Sequence, residues 1–115
     1  MKNKHKESIN RLEQISFAIT EIEQYTKGAN CDSFCLNNIL HDAVLLKFIV
    51  IGEAINHVES EILEKYDYPW YKVRSFRNLI AHEYFNIKLE AVWQIIENNL
   101  PELKDVIQII LRNEL

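Results

Sequence analysis

Residues 43–55, AVLLKFIVIGEAI, form the longest apolar run of the chain and contain only two charged side chains, Lys47 and Glu53. The run is too short to span a bilayer, so we expect a helix that is buried within protein. Its apolar side chains would point in every direction, and a helix of this kind must be covered on all sides. Two coverings are open: the rest of the same chain, or a second subunit related by two-fold symmetry.

The segments before this run have the periodicity of helices. A first amphipathic helix is predicted over roughly 6–27, because isoleucine and leucine recur there at gaps of three and four residues. The stretch 28–30, Gly-Ala-Asn, is expected to end it, since glycine and asparagine tolerate a left-handed backbone. Asp32 or Ser33 is then expected to cap the helix of the apolar run, which is predicted over roughly 34–60.

Two further apolar patterns complete the predicted fold. A third helix is expected after Asp67, with Pro69 in its first turn. Its apolar face consists of Trp70, Val73, Phe76 and Ile80. A longer pattern continues in phase across Pro101, which predicts one kinked helix or two helices stacked in line. This pattern consists of Leu89, Trp93, Ile96, Leu100, Leu103, Ile107 and Ile110. The prediction is a single all-α domain over residues 1–115, an antiparallel bundle of four to five helices.

The composition agrees with a helical protein, because the chain has only two glycines and two prolines, which turn-rich β folds use more often. A net charge of −4 argues against broad, charge-driven binding to nucleic acid. A local basic patch remains, since Lys72, Arg74 and Arg77 lie within six residues that contain no acid. No apolar signal segment follows the first residues, so we expect a cytoplasmic protein with no membrane partner.

Cys31 and Cys35 are the only cysteines of the chain. Together with His41 they offer side chains that can bind zinc, but no fourth ligand is evident in the sequence. Free thiols of a cytoplasmic protein are the alternative. We therefore predict no metal site and no cofactor.

Four polar side chains occur within RNLIAHEY, residues 77–84, and none of them is needed to fill a core. On a helix, Arg77, Asn78, His82 and Tyr84 fall within about half a turn, although Arg77 and His82 are about 140° apart. The two can converge if the helix loosens near His82 or if a second subunit shares the cleft. Asn78 is one turn before His82, so its amide is placed to orient the imidazole.

Such a set of side chains suits the cleavage of an RNA phosphodiester. His82 would take the proton of a 2′-hydroxyl or give one to the leaving oxygen. Arg77 would hold the phosphate and stabilise the negative charge added in the transition state. The scheme requires no metal, and a symmetric dimer would supply a second histidine. The structural alternative is a helix end at which His and Arg satisfy the terminal carbonyls and Arg77 pairs with an acid such as Glu83.

A second polar set lies on the helix of the apolar run. Asp42, Ile49, Glu53 and His57 project nearly in line, because steps of seven and four residues return close to the same helical angle. Polar side chains on such a line either face solvent or gather around a buried polar site. The sequence leaves both alternatives open.

Several motifs, taken together, resemble a known family. Arg77-Asn78-x-x-x-His82-x-Tyr84 is similar to the Arg-x4-6-His signature of HEPN-domain proteins, and the chain resembles the HepT toxins among them. Other features agree in order and spacing from the second helix to the last. They are DAV at 42–44, IGEA at 51–54, PW at 69–70 and VRSFRNLIAHEYFNI at 73–87.

The resemblance implies a metal-independent endoribonuclease toxin that acts as a homodimer, with its cleft at the two-fold interface. Arg77 and His82 match the catalytic pair of the family, and Asn78 matches the polar residue beside it. Tyr84 matches the tyrosine that a cognate minimal nucleotidyltransferase antitoxin modifies with AMP groups. Adenylate phosphates at that position would block the cleft and compete for its positive charge. The implied partners are RNA and the antitoxin, in a homodimer or a larger hetero-oligomer.

The resemblance also implies that the helix of the apolar run forms part of the dimer interface. Asp42 and Glu53 become candidate partners of Arg74 or Arg77 at the cleft. The chain departs from the family at two positions. Glu83 stands where the family often has aspartate, and Lys88 stands where an acidic helix cap is common. The rival functions are a non-catalytic helical binding module that partners a nucleotidyltransferase, and a structural dimer without its own activity.

Overall fold

The computed structural model describes residues 3–115, and all regular secondary structure in this part of the chain is helical. The prediction of an all-α fold is confirmed. The helices are α1 Lys4–Tyr25, α2 Cys31–Leu36, α3 Asn38–Ile55, α4 Ser60–Leu63, α5 Trp70–Glu83, α6 Leu89–Gln94 and α7 Leu100–Glu114. A 3₁₀ turn, Tyr84–Asn86, follows α5 directly, and a π-helical turn, Ile95–Asn99, joins α6 to α7.

Helix α3 is the central element of the bundle, because it packs against both α1 and α5, while α7 packs against α1. Two contacts set the direction of α1 and α3. Lys47 Nζ lies 2.9 Å from Glu21 Oε1, and the N–H of Glu59, just past α3, donates to Ser8 Oγ at 2.9 Å. The two helices are therefore antiparallel, as predicted. Fully buried aliphatic side chains of these elements form the core: Leu12, Ile15, Ile19, Ile22, Val44, Ile51, Ile55, Ile80, Ile107 and Ile110.

The bounds predicted for the second helix, 34–60, are wrong. The helix is interrupted at Asn37, and α3 ends at Ile55. Asn37 has an extended backbone, and its side chain accepts the N–H of Leu40 at 3.0 Å. This bond starts a new helix, since a cap satisfies an N–H that has no partner within the helix. The expected cap at Asp32 or Ser33 is also wrong. Asn30 caps α2, and Ser33 is the third residue of that capping box.

The prediction for the last pattern is confirmed, since α6, the π-helical turn and α7 follow one another without a break. Pro101 is the second residue of α7. In a regular α-helix its ring would collide with the carbonyl four residues earlier, at Glu97. Glu97 lies within the π-helical turn, which is wider than an α-helical turn and accommodates the ring. The helix therefore changes its winding at the proline instead of ending there.

One face of α3 is left uncovered by the described part of the chain, residues 3–115. Ile39 is 84% exposed and Leu46 is 56% exposed, whereas Val44 and Ile51 on other faces are buried. The helix is thus covered where it meets α1 and α5 and open on the remaining side. No helix within residues 3–115 combines the length and apolar character that a membrane crossing requires.

Candidate active site

Helix α5 is held to the rest of the bundle by aromatic side chains. The indole N–H of Trp70, in its first turn, donates to the carbonyl of Leu63 at 3.0 Å. Phe76 packs edge-on against Phe48 of α3, with ring centroids 5.0 Å apart. Pro69 lies at the capping position directly before the helix and not in its first turn. These contacts leave the polar side chains of α5 on its remaining faces.

Arg77 is fixed at the crossing of α5 and α3. A methyl group added to Gly52 would lie 2.2 Å from the Cβ of Arg77, so the arginine stem rests directly on the glycine. The guanidinium forms a salt bridge with Glu53 through Nη2, and Nη1 donates to Asn78 Oδ1 at 3.2 Å. Its Nε is buried without a partner among residues 3–115. Arg77 is thus a partly buried cation with one acidic neighbour.

Tyr84 lies in the 3₁₀ turn after α5 and contacts the beginning of α3. Its hydroxyl donates to Asp42 Oδ1, and the same oxygen lies 2.9 Å from His41 Nδ1. His41 Nε2 is in turn 3.0 Å from Asn38 Oδ1. The hydrogen bond to Asp42, with smaller effects of desolvation and of the carboxylate charge, raises the pKa of the Tyr84 hydroxyl. The hydroxyl is therefore protonated at neutral pH.

His82 is exposed and forms no hydrogen bond with any residue between 3 and 115. Helix α5 continues to Glu83, so it does not loosen before His82. Arg77 and His82 are about 140° apart on this helix, and the structure does not bring them together within one chain. Asn78 does not orient His82 as predicted: its amide oxygen accepts a hydrogen bond from Arg77 Nη1, and His82 is not among its partners within residues 3–115.

The remaining predicted site residues have different partners. Arg74 Nε donates to Asn56 Oδ1 at 3.0 Å and does not bind Asp42 or Glu53. Of the acids expected near the arginines, Glu53 contacts Arg77 and Asp42 contacts Tyr84. The structure therefore forms two polar pairs between α3 and the end of α5, with α3 and α5 antiparallel.

Comparison with known proteins identifies the family. The family described as "Ribonuclease HepT-like" matches residues 15–110. The chain belongs to the HepT-like ribonuclease family. The resemblance to HepT is thereby confirmed, and the two polar pairs lie within the HepT-like region.

Individual relatives agree with this HepT-like assignment. "Probable ribonuclease HepT" of Thermococcus cleftensis is 28% identical over 105 residues, which cover 90% of this chain and 93% of the relative. A "Putative RNase" of Caldanaerobacter subterraneus subsp. tengcongensis is 29% identical, with 90% and 89% covered. A Methanocaldococcus jannaschii protein named "Gamma-glutamylcyclotransferase and putative RNase" is 35% identical over 84% of this chain, which spans only 44% of that relative. No solved structure matches the chain.

Three residues of this HepT-like site were missed by reasoning from the sequence. They are Gly52 beneath Arg77, Asn56 at Arg74, and His41 at Asp42. Gly52 carried a usable signal, because an isolated glycine in a helix commonly marks a close approach of two elements. Asn56 carried no such signal, because its partner Arg74 lies on the far side of a loop. His41 carried no signal either, because its contact with the adjacent Asp42 lies within one turn of an ordinary helix.

The cysteines stand apart from these pairs. Cys31 and Cys35 are free thiols, and the described residues contain no group of three or more side chains that could hold a metal ion. Burial, together with the neighbouring Cys31, raises the pKa of the Cys35 thiol to about 11. Cys35 is therefore a poor nucleophile at neutral pH.

Proposed function

We propose that this chain is a metal-independent endoribonuclease toxin whose reaction is carried by Arg77 and His82. Membership of the HepT-like ribonuclease family supports a ribonuclease. The observation that carries the assignment is the partly buried guanidinium of Arg77, which is held by Glu53 and Asn78 on the helix that also presents an exposed His82. Arginine held in this way is prepared to bind a phosphate.

The proposed reaction is an internal transfer at phosphorus. The 2′-oxygen attacks the phosphorus as its proton passes to His82, and the bond to the 5′-oxygen breaks as that oxygen takes up a proton from water. The products are a 2′,3′-cyclic phosphate and a 5′-hydroxyl. Arg77 stabilises the charge on the phosphoryl oxygens. Asn78 supports the site by orienting Arg77, to which its amide oxygen is bonded.

We propose that the active site is completed by a second copy of the chain. The separation of Arg77 from His82 around α5 supports this, because one chain alone directs them apart. The open face of α3 supports it too. Leu46 is exposed between Asp42 and Glu53 on that face, so a partner covering it would meet both polar pairs. The cleft would then contain Arg77 of one protomer and His82 of its partner.

We propose that Tyr84 is the regulatory acceptor of AMP. Its hydroxyl oxygen would attack the α-phosphorus of ATP, held by a minimal nucleotidyltransferase antitoxin, and pyrophosphate would leave. The contact of Tyr84 with Asp42 supports this role, since it keeps an exposed tyrosine at the edge of the cleft. The adduct would bring negative charge toward Arg77 and exclude RNA. The toxin would act in the cytoplasm without a cofactor, as a single domain in a homodimer or a larger assembly with the antitoxin.

Cleavage of RNA by purified, unmodified protein in EDTA tests the catalytic assignment. Wild type should cut, whereas Arg77→Ala and His82→Ala should lose activity by at least about a hundredfold. His57→Ala is the matched control, since His57 is exposed and lies beyond α3. Equal cleavage by all variants would contradict the assignment. No cleavage by wild type free of AMP would favour a binding module that partners a nucleotidyltransferase.

Mixing inactive variants tests the shared site. Equimolar Arg77→Ala and His82→Ala subunits, exchanged under dissociating conditions, should recover about a quarter of wild-type activity. Half of the dimers are mixed, and each mixed dimer contains one intact site out of two. Recovery of no activity would show that each site uses residues of a single chain.

Mass spectrometry tests the modification. Co-expression with a minimal nucleotidyltransferase should add AMP groups to wild type and none to Tyr84→Phe. Tyr25→Phe is the matched control, because Tyr25 is a similarly exposed tyrosine on α1. Unchanged modification of Tyr84→Phe would assign the acceptor to another residue.

A further inference from the structure

The outer face of α5 carries a line of exposed polar side chains, of which Asn78 alone has a side-chain hydrogen bond within residues 3–115, to Arg77. Tyr71, Ser75, Asn78 and His82 follow one another at gaps of four, three and four residues, which keeps them within about 60° of one another on a helix. All four are exposed, and Tyr71 is 64% exposed. The line lies opposite the side of α5 that packs on α3, where Ile80 is buried.

This face is electrostatically unlike the rest of the molecule. The chain has a net charge of −4, yet residues 68–82 form its longest stretch without an acid. Lys72 and Arg74 flank the line on its two sides, and neither forms a salt bridge with the described residues. Within residues 3–115, Arg74 forms a side-chain hydrogen bond only with the neutral amide of Asn56. Two cations are thus available beside an exposed aromatic ring.

We propose that this outer line of α5 binds single-stranded RNA and leads it to His82. A base stacks on the ring of Tyr71, and phosphates contact Lys72 and Arg74. An exposed aromatic side chain between cations is the arrangement that binds single strands without reading sequence. Tyr71 precedes His82 by eleven residues, or roughly 16 Å along the helix, so the stacked base lies a few nucleotides from the cleaved bond.

The physical character of the line favours RNA over a protein partner. None of its four members has an aliphatic side chain, whereas the centres of protein interfaces are enriched in apolar groups. Ile39 and Leu46 instead give α3 an exposed apolar face. The inference rests on the proposed ribonuclease function, because it names the path by which the substrate of that site enters.

Binding is best measured with a probe that the proposed reaction cannot cut. A 5′-fluorescein single strand of about 12 nucleotides, with 2′-O-methyl groups throughout, lacks the attacking hydroxyl, and its length is suited to a site of this size. Fluorescence anisotropy should show roughly five- to hundredfold weaker binding for Tyr71→Ala and nearly unchanged binding for Tyr71→Phe, which keeps the stacking ring. Tyr25→Ala is the matched control and should bind as wild type does.

The salt dependence tests the two cations separately. Replacing both Lys72 and Arg74 by alanine should reduce the slope of log affinity against log salt by about 1.4, since each phosphate contact on a single strand contributes about 0.7. Lys27 and Arg112 are exposed cations elsewhere on the surface, and their double replacement by alanine controls for the change in net charge. An equal loss of slope in this control would overturn the proposal.

The outcomes separate this inference from the function on which it rests. If wild type cuts RNA but Tyr71→Ala binds the probe as tightly as wild type, the binding line is wrong and the ribonuclease stands. If no cleavage occurs but probe binding still depends on Tyr71, the line stands and the catalytic assignment is wrong. If Tyr71→Ala leaves RNA binding intact and releases a co-expressed nucleotidyltransferase, the face is a protein contact and the proposal is overturned.

Discussion

The hydroxyl of Tyr84 donates a hydrogen bond to the carboxylate of Asp42, and this bond joins the turn after α5 to the beginning of α3. The two residues are 42 positions apart in the chain. Asp42 also lies against His41, so the tyrosine ends a short series of polar contacts at the start of α3. Modification of the hydroxyl would remove its proton and with it this connection between the two helices.

Replacing Asp42 by asparagine should lower the pKa of Tyr84. The carboxylate accepts a hydrogen bond from the neutral hydroxyl and repels the phenolate, and it is the main cause of the raised value. NMR titration of protein labelled at the tyrosine ring carbons should resolve the shift, with Tyr84→Phe to assign the signal. A pKa of Tyr84 that does not change in Asp42→Asn would show that the carboxylate is not its cause.

The same contact predicts how stability depends on alkaline pH. Folding raises the pKa of Tyr84, so the folded state holds the proton more tightly than the unfolded state does. The stabilisation is fully present below the ordinary tyrosine value of 10.0 and is lost as the pH rises through the raised value. Urea unfolding measured across that range should show a steeper decline for wild type than for Tyr84→Phe. Equal declines would contradict the linkage.

Gly52→Ala should destabilise the fold and displace Arg77. The added methyl would lie 2.2 Å from the Cβ of Arg77, which is too close to the backbone of α5 to move independently of it. Alanine favours a helix by about 1 kcal/mol over glycine, but overpacking between two helices costs about 1–3 kcal/mol. We expect a net loss in the free energy of unfolding, measured in urea, together with lower RNA cleavage.

Gly28→Ala is the matched control for that substitution. Gly28 has a φ of +80° and no neighbouring atom within 4 Å of an added methyl. Its replacement should cost about 1 kcal/mol through backbone strain alone and leave cleavage per folded molecule unchanged. Equal effects of the two variants on cleavage would show that the loss at Gly52 does not pass through Arg77.

Glu53→Gln should lower kcat without raising KM for RNA. The Glu53 carboxylate forms a salt bridge with the Arg77 guanidinium, and in the proposed site it would orient that group and compete with a substrate phosphate for it. Glutamine removes the competition and weakens the orientation, so we expect kcat to fall about tenfold while binding is equal or tighter. Glu61→Gln on α4 is an exposed control. A raised KM with normal kcat would mean that Glu53 contributes to binding and not to orientation.

Leu46→Glu should separate the protomers of the proposed dimer without unfolding them. Leu46 is already 56% exposed in one chain, so its replacement should change the stability of an isolated chain by no more than about 0.5 kcal/mol. Sedimentation velocity should show a monomer, with RNA cleavage lost. Ile109→Glu, at a partly exposed position of α7, is the control and should remain a dimer. A dimer that persists in Leu46→Glu would assign the interface to another face.

The helical class and three of the main helices could be predicted because their signals are local. In α1, α5 and the α6–α7 pair, the spacing of apolar residues within each segment is enough to indicate a helix. The turn at Gly28 depends only on the backbone conformation of that glycine. The break at Asn37 escaped prediction because a single side-chain cap outweighed a continuous apolar pattern. The π-helical turn escaped because it depends on how Pro101 is accommodated within a longer helix.

The same distinction between local signals and tertiary contacts applies to the candidate site. The sequence by itself determined which residue types lie together at the end of α5 and in the turn after it, since Arg77, Asn78, His82 and Tyr84 are close enough in the chain to form a recognisable motif. Only the tertiary structure decided that Arg77 pairs with Glu53 and that Tyr84 binds Asp42. Both pairs depend on the register of α5 against α3, and that register is set by the close approach of the Arg77 stem to Gly52. A contact between residues far apart in the chain leaves no periodic signal in either segment, so packing alone selects it.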